Sequence, residues 1–65
     1  MKVGSLVKHE WVMQIDGQYH TFTDIGVVVE TWMRGFIESA WIQWASGAEA
    51  QWVDCDELEV IDESR

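Results

Sequence analysis

The chain has 65 residues, twelve acidic against four basic for a net charge of −8, with five Trp, two Phe, one Tyr and a single cysteine. That length holds one domain, residues 1–65, burying roughly 60% of the surface its unfolded chain exposes, so folding depends on a core rich in large rings. The acid excess repels a phosphate backbone and lacks the Lys and Arg needed for counterion release, which excludes ordinary nucleic-acid binding. One cysteine, Cys55, excludes an intramolecular disulfide and a thiolate-based zinc site, and fits a reducing cytosol. Met1 and Lys2 lead into Gly4, Ser5 and Lys8 and not into an apolar run, so no signal peptide or membrane span is expected and the predicted location is cytoplasmic.

In chain order, Val7 to Ile15 places Val7, Trp11, Met13 and Ile15 on odd positions and mostly polar residues between them. That is the period of two of a half-buried strand. Asp16-Gly17 then signals a two-residue type I′ hairpin, whose central residues both take positive φ. Such a loop pairs Ile15 with Gln18, Met13 with His20 and Trp11 with Phe22, setting two aromatics side by side. Ile25 to Glu30 is a β-branched run too apolar to show which side faces inward, and Met33-Arg34-Gly35 reads as a turn. Phe36 to Ala45 is a further strand, with Ala40, Ile42 and Trp44 inward and Trp41 and Gln43 on the other face. Ala45-Ser46-Gly47 turns the chain into a strand over Ala48 to Val53. Asp54-Cys55-Asp56-Glu57 reads as one 3₁₀ turn that Asp54 caps, before a closing strand over Leu58 to Ile61.

Val3-Gly4-Ser5-Leu6-Val7, Ile25-Gly26-Val27-Val28-Val29-Glu30, Ile42-Gln43-Trp44-Ala45-Ser46-Gly47, and Trp52-Val53 through Leu58-Glu59-Val60-Ile61 together resemble the small SH3-like barrels of the KOW/Tudor type. The pattern covers nearly the whole chain and is similar to that of short free-standing SH3-like proteins of bacteriophage genomes. The resemblance implies an all-β, five-stranded SH3-like barrel with a single 3₁₀ turn before the last strand. It also implies a minor virion, assembly or host-interaction protein, found in the host cytoplasm or the virion. Asp24 and Glu30 flank the glycine turn where a nucleic-acid-binding KOW domain carries basic residues, in keeping with the charge balance.

No catalytic equipment is legible, so the chain is not expected to be an enzyme, and no cofactor or metal is expected. His9 and His20 stand roughly 13 Å apart along the hairpin at about 3.3 Å per residue, too far to share an ion, and read as ordinary hairpin residues. Asp54 and Asp56 beside Cys55 suppress its thiolate, the opposite of what a nucleophile requires. The abundant carboxylates come without a desolvating pocket, and no P-loop, GxSxG or HExxH pattern is present.

The tryptophans carry the functional expectation. A barrel this small encloses two or three large rings. Trp11 and Trp44 are assigned to the core, and Trp32, Trp41 and Trp52 to barrel ends, strand edges or an outer binding surface. The Tudor resemblance implies a further option, an aromatic cage for methylated Lys or Arg, formed by Trp41 and Trp52 with Tyr19 and the acidic tail nearby. The candidate partner-binding residues are therefore Trp41, Trp52, Tyr19, Trp32, Asp54, Asp56 and Glu57. The expected function is a non-catalytic protein-interaction module that takes a basic or aromatic-docking protein partner, with self-association through the same patch also open. The alternative draws on Glu49, Asp54, Asp56, Glu57, Glu59, Asp62 and Glu63, against which Arg65 is the only base in the last third. It is an acidic inhibitor that imitates the charge of DNA and occupies the basic cleft of a host nucleic-acid-binding protein.

Overall fold

A computed structural model describes residues 1–62, so Glu63 and Arg65 at the end of the acidic stretch lie outside the described residues. The Asp16-Gly17 turn forms as expected, with φ of 52° and 78°, joining β1 (Leu6–Ile15) to β2 (Gln18–Arg34). Its register pairs Ile15 with Gln18, Met13 with His20 and Trp11 with Phe22. The remaining elements are β3 (Ile37–Trp44), β4 (Gln51–Asp54), a 3₁₀ turn (Cys55–Glu57) and β5 (Glu59–Asp62). All pairings are antiparallel, and the strands form one open sheet in the order β4-β3-β2-β1-β5.

Several boundaries differ from the sequence expectation. Ile25 to Glu30 is not a separate element but the middle of the 17-residue β2, which runs through Met33 and Arg34 and turns only at Gly35-Phe36. One strand thus serves two hairpins. A bulge makes this possible: Val28 pairs with Ile42 and Glu30 with Trp41, leaving Val29 as the extra residue that bends the strand. β4 begins at Gln51 and not Ala48, and β5 is displaced one residue toward the C-terminus. Asp54 occupies the cap position of the 3₁₀ turn but makes no side-chain cap; its Oδ1 accepts a hydrogen bond from Ser39 Oγ at 3.1 Å across the β3–β4 ladder.

The sheet has to curl. Its two edge strands, β4 and β5, are joined only by Cys55, Asp56, Glu57 and Leu58, which span roughly 17 Å fully extended and less with a 3₁₀ turn among them. A flat five-stranded sheet holds its edges roughly 19 Å apart. The concave face encloses a core of Val7, Val28, Ala40, Ile42, Trp44 and Val53, with Met1, Cys55 and Leu58 packed against it. Ala40, Ile42 and Trp44 point inward as the alternation predicts.

Trp11, expected in the core, is 37% exposed. β5 pairs only with Leu6, Val7 and Lys8, and β3 begins pairing with β2 at Gly26. The outer part of the first hairpin therefore projects beyond the other strands, and the molecule extends to 41 × 26 × 19 Å. Trp11 pairs with Phe22 of β2 and lies beyond the described pairing of β1 with β5. Period two identifies the face of a side chain but not how far the neighbouring strands reach.

Gly26 has no room for a side chain. A Cβ there would overlap Ile42 Cγ2 and stand 2.9 Å from the Gln43 carbonyl oxygen and 3.0 Å from the Trp44 ring. At Ser5, fully buried, the backbone carbonyl accepts from Val28 N–H at 3.0 Å while Oγ has no partner among the described residues. Gly26→Ala should therefore lower the unfolding free energy by about 1–3 kcal/mol, the usual cost of overpacking. Ser5→Ala should leave it equal or slightly higher, since a buried hydroxyl without a partner is removed. Urea titrations followed by tryptophan fluorescence measure both.

Candidate functional site

The outer face of β2, β3 and β4 carries the aromatic patch. Alternation that turns Ala40, Ile42 and Val53 inward turns Trp41 and Trp52 outward, and the two are direct register partners. Their rings lie 5.4 Å apart at 60°, a tilted contact. Trp32 reaches the same cluster from β2, 6.4 Å from Trp52 at 58°, and the Arg34 guanidinium carbon stands 6.0 Å from the Trp32 ring centre. Trp32 is 56% and Trp52 45% exposed, with Trp41 half-buried between them. Asp54 borders this patch two residues beyond Trp52.

The other predicted residues do not all join it. Tyr19 sits at the tip of the first hairpin opposite Gln14, thirteen positions before Trp32 on the same strand and thus at the opposite end of β2. Asp56 belongs to the 3₁₀ turn and lines a separate hollow of about 240 Å³ with Phe36, Ile37, Glu38 and Cys55. Glu57 is exposed in the same turn. A cage of Trp41, Trp52 and Tyr19 is therefore not assembled. Trp41 and Trp52 pack on each other instead of facing across a gap.

Compared with known proteins, the chain matches no family model, no curated protein and no solved structure.

A larger groove, about 440 Å³, opens on the concave side where the first hairpin leaves the sheet, and sequence reasoning missed it. His9, Trp11, Asp24, Trp44, Ala48, Glu49 and Gln51 line it. His9 is more than the ordinary hairpin residue expected. Its ring stacks on Trp11 at 5.4 Å and 29° and lies 6.0 Å from Trp44 at 32°. Trp11 in turn stacks on Phe22 at 5.8 Å. The signal was present in the alternation Val7, His9, Trp11, which puts the imidazole on the inward face. Only the β3–β4 loop, brought over by curling, makes that face a groove.

Asp24 fixes the groove wall. Its Oδ1 accepts from Ile25 N–H at 2.9 Å and its Oδ2 from Ser46 Oγ at 2.7 Å, tying β2 to the β3–β4 loop. Ser46 Oγ also accepts from Ala48 N–H at 3.3 Å, which shapes the loop beneath Glu49. Among the described residues, no group of three or more His, Cys, Asp or Glu is placed to hold a metal ion, and no helix is long and apolar enough to cross a membrane.

Around Cys55 the chemistry disfavours a nucleophile. Burial, then the charge and hydrogen bonding of Glu38, push its thiol up to about 11, with Asp54 only a minor contributor. The acids next to Cys55 in sequence were therefore the wrong emphasis. Glu38 itself is held below the usual carboxylate range, chiefly by the Met1 amine 2.8 Å from its Oε1. A thiol raised from 9.0 to about 11 carries about one hundredth of the ordinary thiolate near neutral pH. Iodoacetamide should thus alkylate Cys55 in the folded protein about 100-fold more slowly than in the urea-unfolded chain at pH 7.5, as followed by intact-protein mass spectrometry.

Proposed function

We propose that this chain is a non-catalytic protein-interaction module that docks a protein partner through Trp32, Trp41 and Trp52 on the outer face of β2, β3 and β4. The observation that carries the reading is the three-ring cluster, in which Trp52 contacts both Trp32 and Trp41, with Trp32 and Trp52 exposed. Large rings, preordered by contact with one another and flanked by Arg34, lose little side-chain freedom on association. They are the residue types in which binding energy concentrates.

The underlying fold is read as an SH3-like barrel. The β5-β1-β2-β3-β4 order, the short 3₁₀ turn before the last strand and the required curl of the sheet support it. On the sequence resemblance the module is assigned to the small bacteriophage-type proteins, acting in assembly or on a host protein in the cytoplasm or the virion.

An acidic mimic of DNA is the competing reading, and the placement of the acids favours it less. Glu10 and Glu59 both pair with Lys8, at 3.4 and 3.0 Å, and Glu38 pairs with the Met1 amine. Asp24 and Asp54 accept from serines. Five carboxylates, Asp54 and Glu59 of the acidic last third among them, are thus engaged by internal partners, while Glu49, Asp56, Glu57 and Asp62 remain exposed.

The discriminating measurement is affinity capture from a lysate of the source cells, repeated at 0.05 and 0.5 M salt. Trp52→Ala is expected to abolish recovery of the specific partner while salt changes it little, since apolar contacts are not screened. Recovery that survives Trp52→Ala and falls steeply with salt would overturn the aromatic docking surface in favour of the charge mimic. Circular dichroism of the variant checks that the exposed substitution leaves the sheet folded.

A further inference from the structure

Over its outer half the first hairpin is only two strands wide. β1 pairs with β5 at Leu6, Val7 and Lys8 alone, so among the described residues Glu10 to Gln14 have a neighbouring strand on one side only. Because the two-residue turn makes Ile15 and Gln18 a hydrogen-bonded pair, odd positions of β1 direct their backbone groups to β2 and even positions direct theirs outward. The Val28 N–H that donates to the Ser5 carbonyl follows the same parity at the far end of the ladder. The N–H and C=O groups of Glu10, Val12 and Gln14 therefore form an open edge, a template for another extended strand.

The features that commonly keep such an edge apart are missing from this stretch. The chain has no Pro, no Lys or Arg lies between Lys8 and Arg34, and the irregularity in β1 falls at Leu6/Val7, short of the open residues. Trp11 to Ile15 carry no charge, and Glu10 is already held by Lys8 at 3.4 Å. Val12 is 61% and Met13 49% exposed. A two-stranded ribbon is marginal alone, and added strands stabilise it.

The open stretch is complementary to itself. Glu10-Trp11-Val12-Met13-Gln14, run antiparallel to a second copy about Val12, sets Val12 opposite Val12, Trp11 opposite Met13 and Glu10 opposite Gln14. Apolar side chains meet apolar ones, the Met13 sulfur reaches an indole, and the carboxylate meets an amide donor with no like charges facing. Backbone parity agrees, since the pairs that exchange both hydrogen bonds in this register are those of Glu10, Val12 and Gln14. The outer edge of β2 fits less well. It offers Tyr19, Thr21 and Thr23, and the Ser46 bond to Asp24 and the Ala45 bond to Ile25 bring the β3–β4 loop against its inner end.

We propose that β1 is a dimerisation strand: a second copy of this chain adds its own Glu10 to Gln14 antiparallel to the first, with the two-fold axis at Val12. The joined hairpins form a four-stranded sheet in the order β2-β1-β1-β2. The contact is isologous and covers the β1 edge of both copies, so it closes at two chains. Each copy carries a charge of −8, so their mutual repulsion opposes the dimer and salt favours it.

Sedimentation equilibrium of the full chain from about 10 μM to 1 mM should show a monomer–dimer equilibrium whose dissociation constant falls several-fold between 0.05 and 0.5 M salt. In hydrogen exchange, the amides of Glu10, Val12 and Gln14 should slow as protein concentration rises, while those of Tyr19, Thr21 and Thr23 do not. Val12→Lys and Val12→Glu should each be monomeric, because the two-fold axis sets like charges opposite one another, and an equimolar mixture should recover the dimer. Circular dichroism checks that both variants fold, and exchange in the native chain decides if either does not. A chain monomeric at 1 mM and 0.5 M salt, growth past the dimer, exchange at those three amides that ignores concentration, or folded variants that dimerise singly or stay apart when mixed overturns the assignment. None of these readouts involves Trp32, Trp41 or Trp52, so the outcome is separate from that for the outer patch.

Discussion

The rest of the structure depends on the brevity of the connection between β4 and β5. These are the two edges of the sheet, and four residues join them. Because such a link cannot cross a flat sheet, the strands have to curl, and curling is what gives a 65-residue chain an inside. Val7, Val28, Ala40, Ile42, Trp44 and Val53 then converge from four strands. Such a small core leaves little tolerance at its centre, where the absence of a side chain at Gly26 lets β2 lie against Ile42 and Trp44.

The same curl separates two kinds of aromatic surface. Residues facing outward on β2, β3 and β4 diverge and leave Trp32 and Trp52 exposed around a half-buried Trp41. Inward-facing residues on the projecting hairpin converge with the β3–β4 loop and give a concave, acidic groove. The number of tryptophans therefore does not describe one oversized site. Trp44 is a core residue that also lines the groove with Trp11, and the other three belong to the opposite face.

Much of this is legible in the sequence, for identifiable reasons. Asp16-Gly17 announces its turn and register because few residue pairs accept two positive φ values. Ala40, Ile42 and Trp44 alternate cleanly because one face of β3 meets only core. The continuity of β2 was hidden, since a run such as Val27-Val28-Val29 has no polar member to mark a side, and a bulge at Val29 changes the phase without any sequence mark. Trp11 and Tyr19 were misplaced for a different reason. Their faces and strand follow from local pattern, but their neighbours depend on where β3 and β5 stop. The groove at His9 is a third case, a product of long-range closure that appears in no local window. The outer cluster is legible in part: alternation places Trp41 and Trp52 on adjacent strands facing away from the core, and Trp32 joins them only because β2 continues unbroken to Arg34.

The sharing of β2 between two hairpins also bears on how the chain reaches its native state. From β1 to β4 every pairing joins neighbours in sequence across tight or short connections, so each can form with little loop closure. Only β1 with β5 brings together distant segments, Leu6 to Lys8 with Glu59 to Asp62. Assembly of the meander can thus run ahead while the ends are still apart, and the cost in chain entropy falls on a single late event. That event seats Lys8 beside Glu59 and packs Leu58 against the core. The order of folding is in this sense written into the strand order, with the two ends of the sheet meeting last.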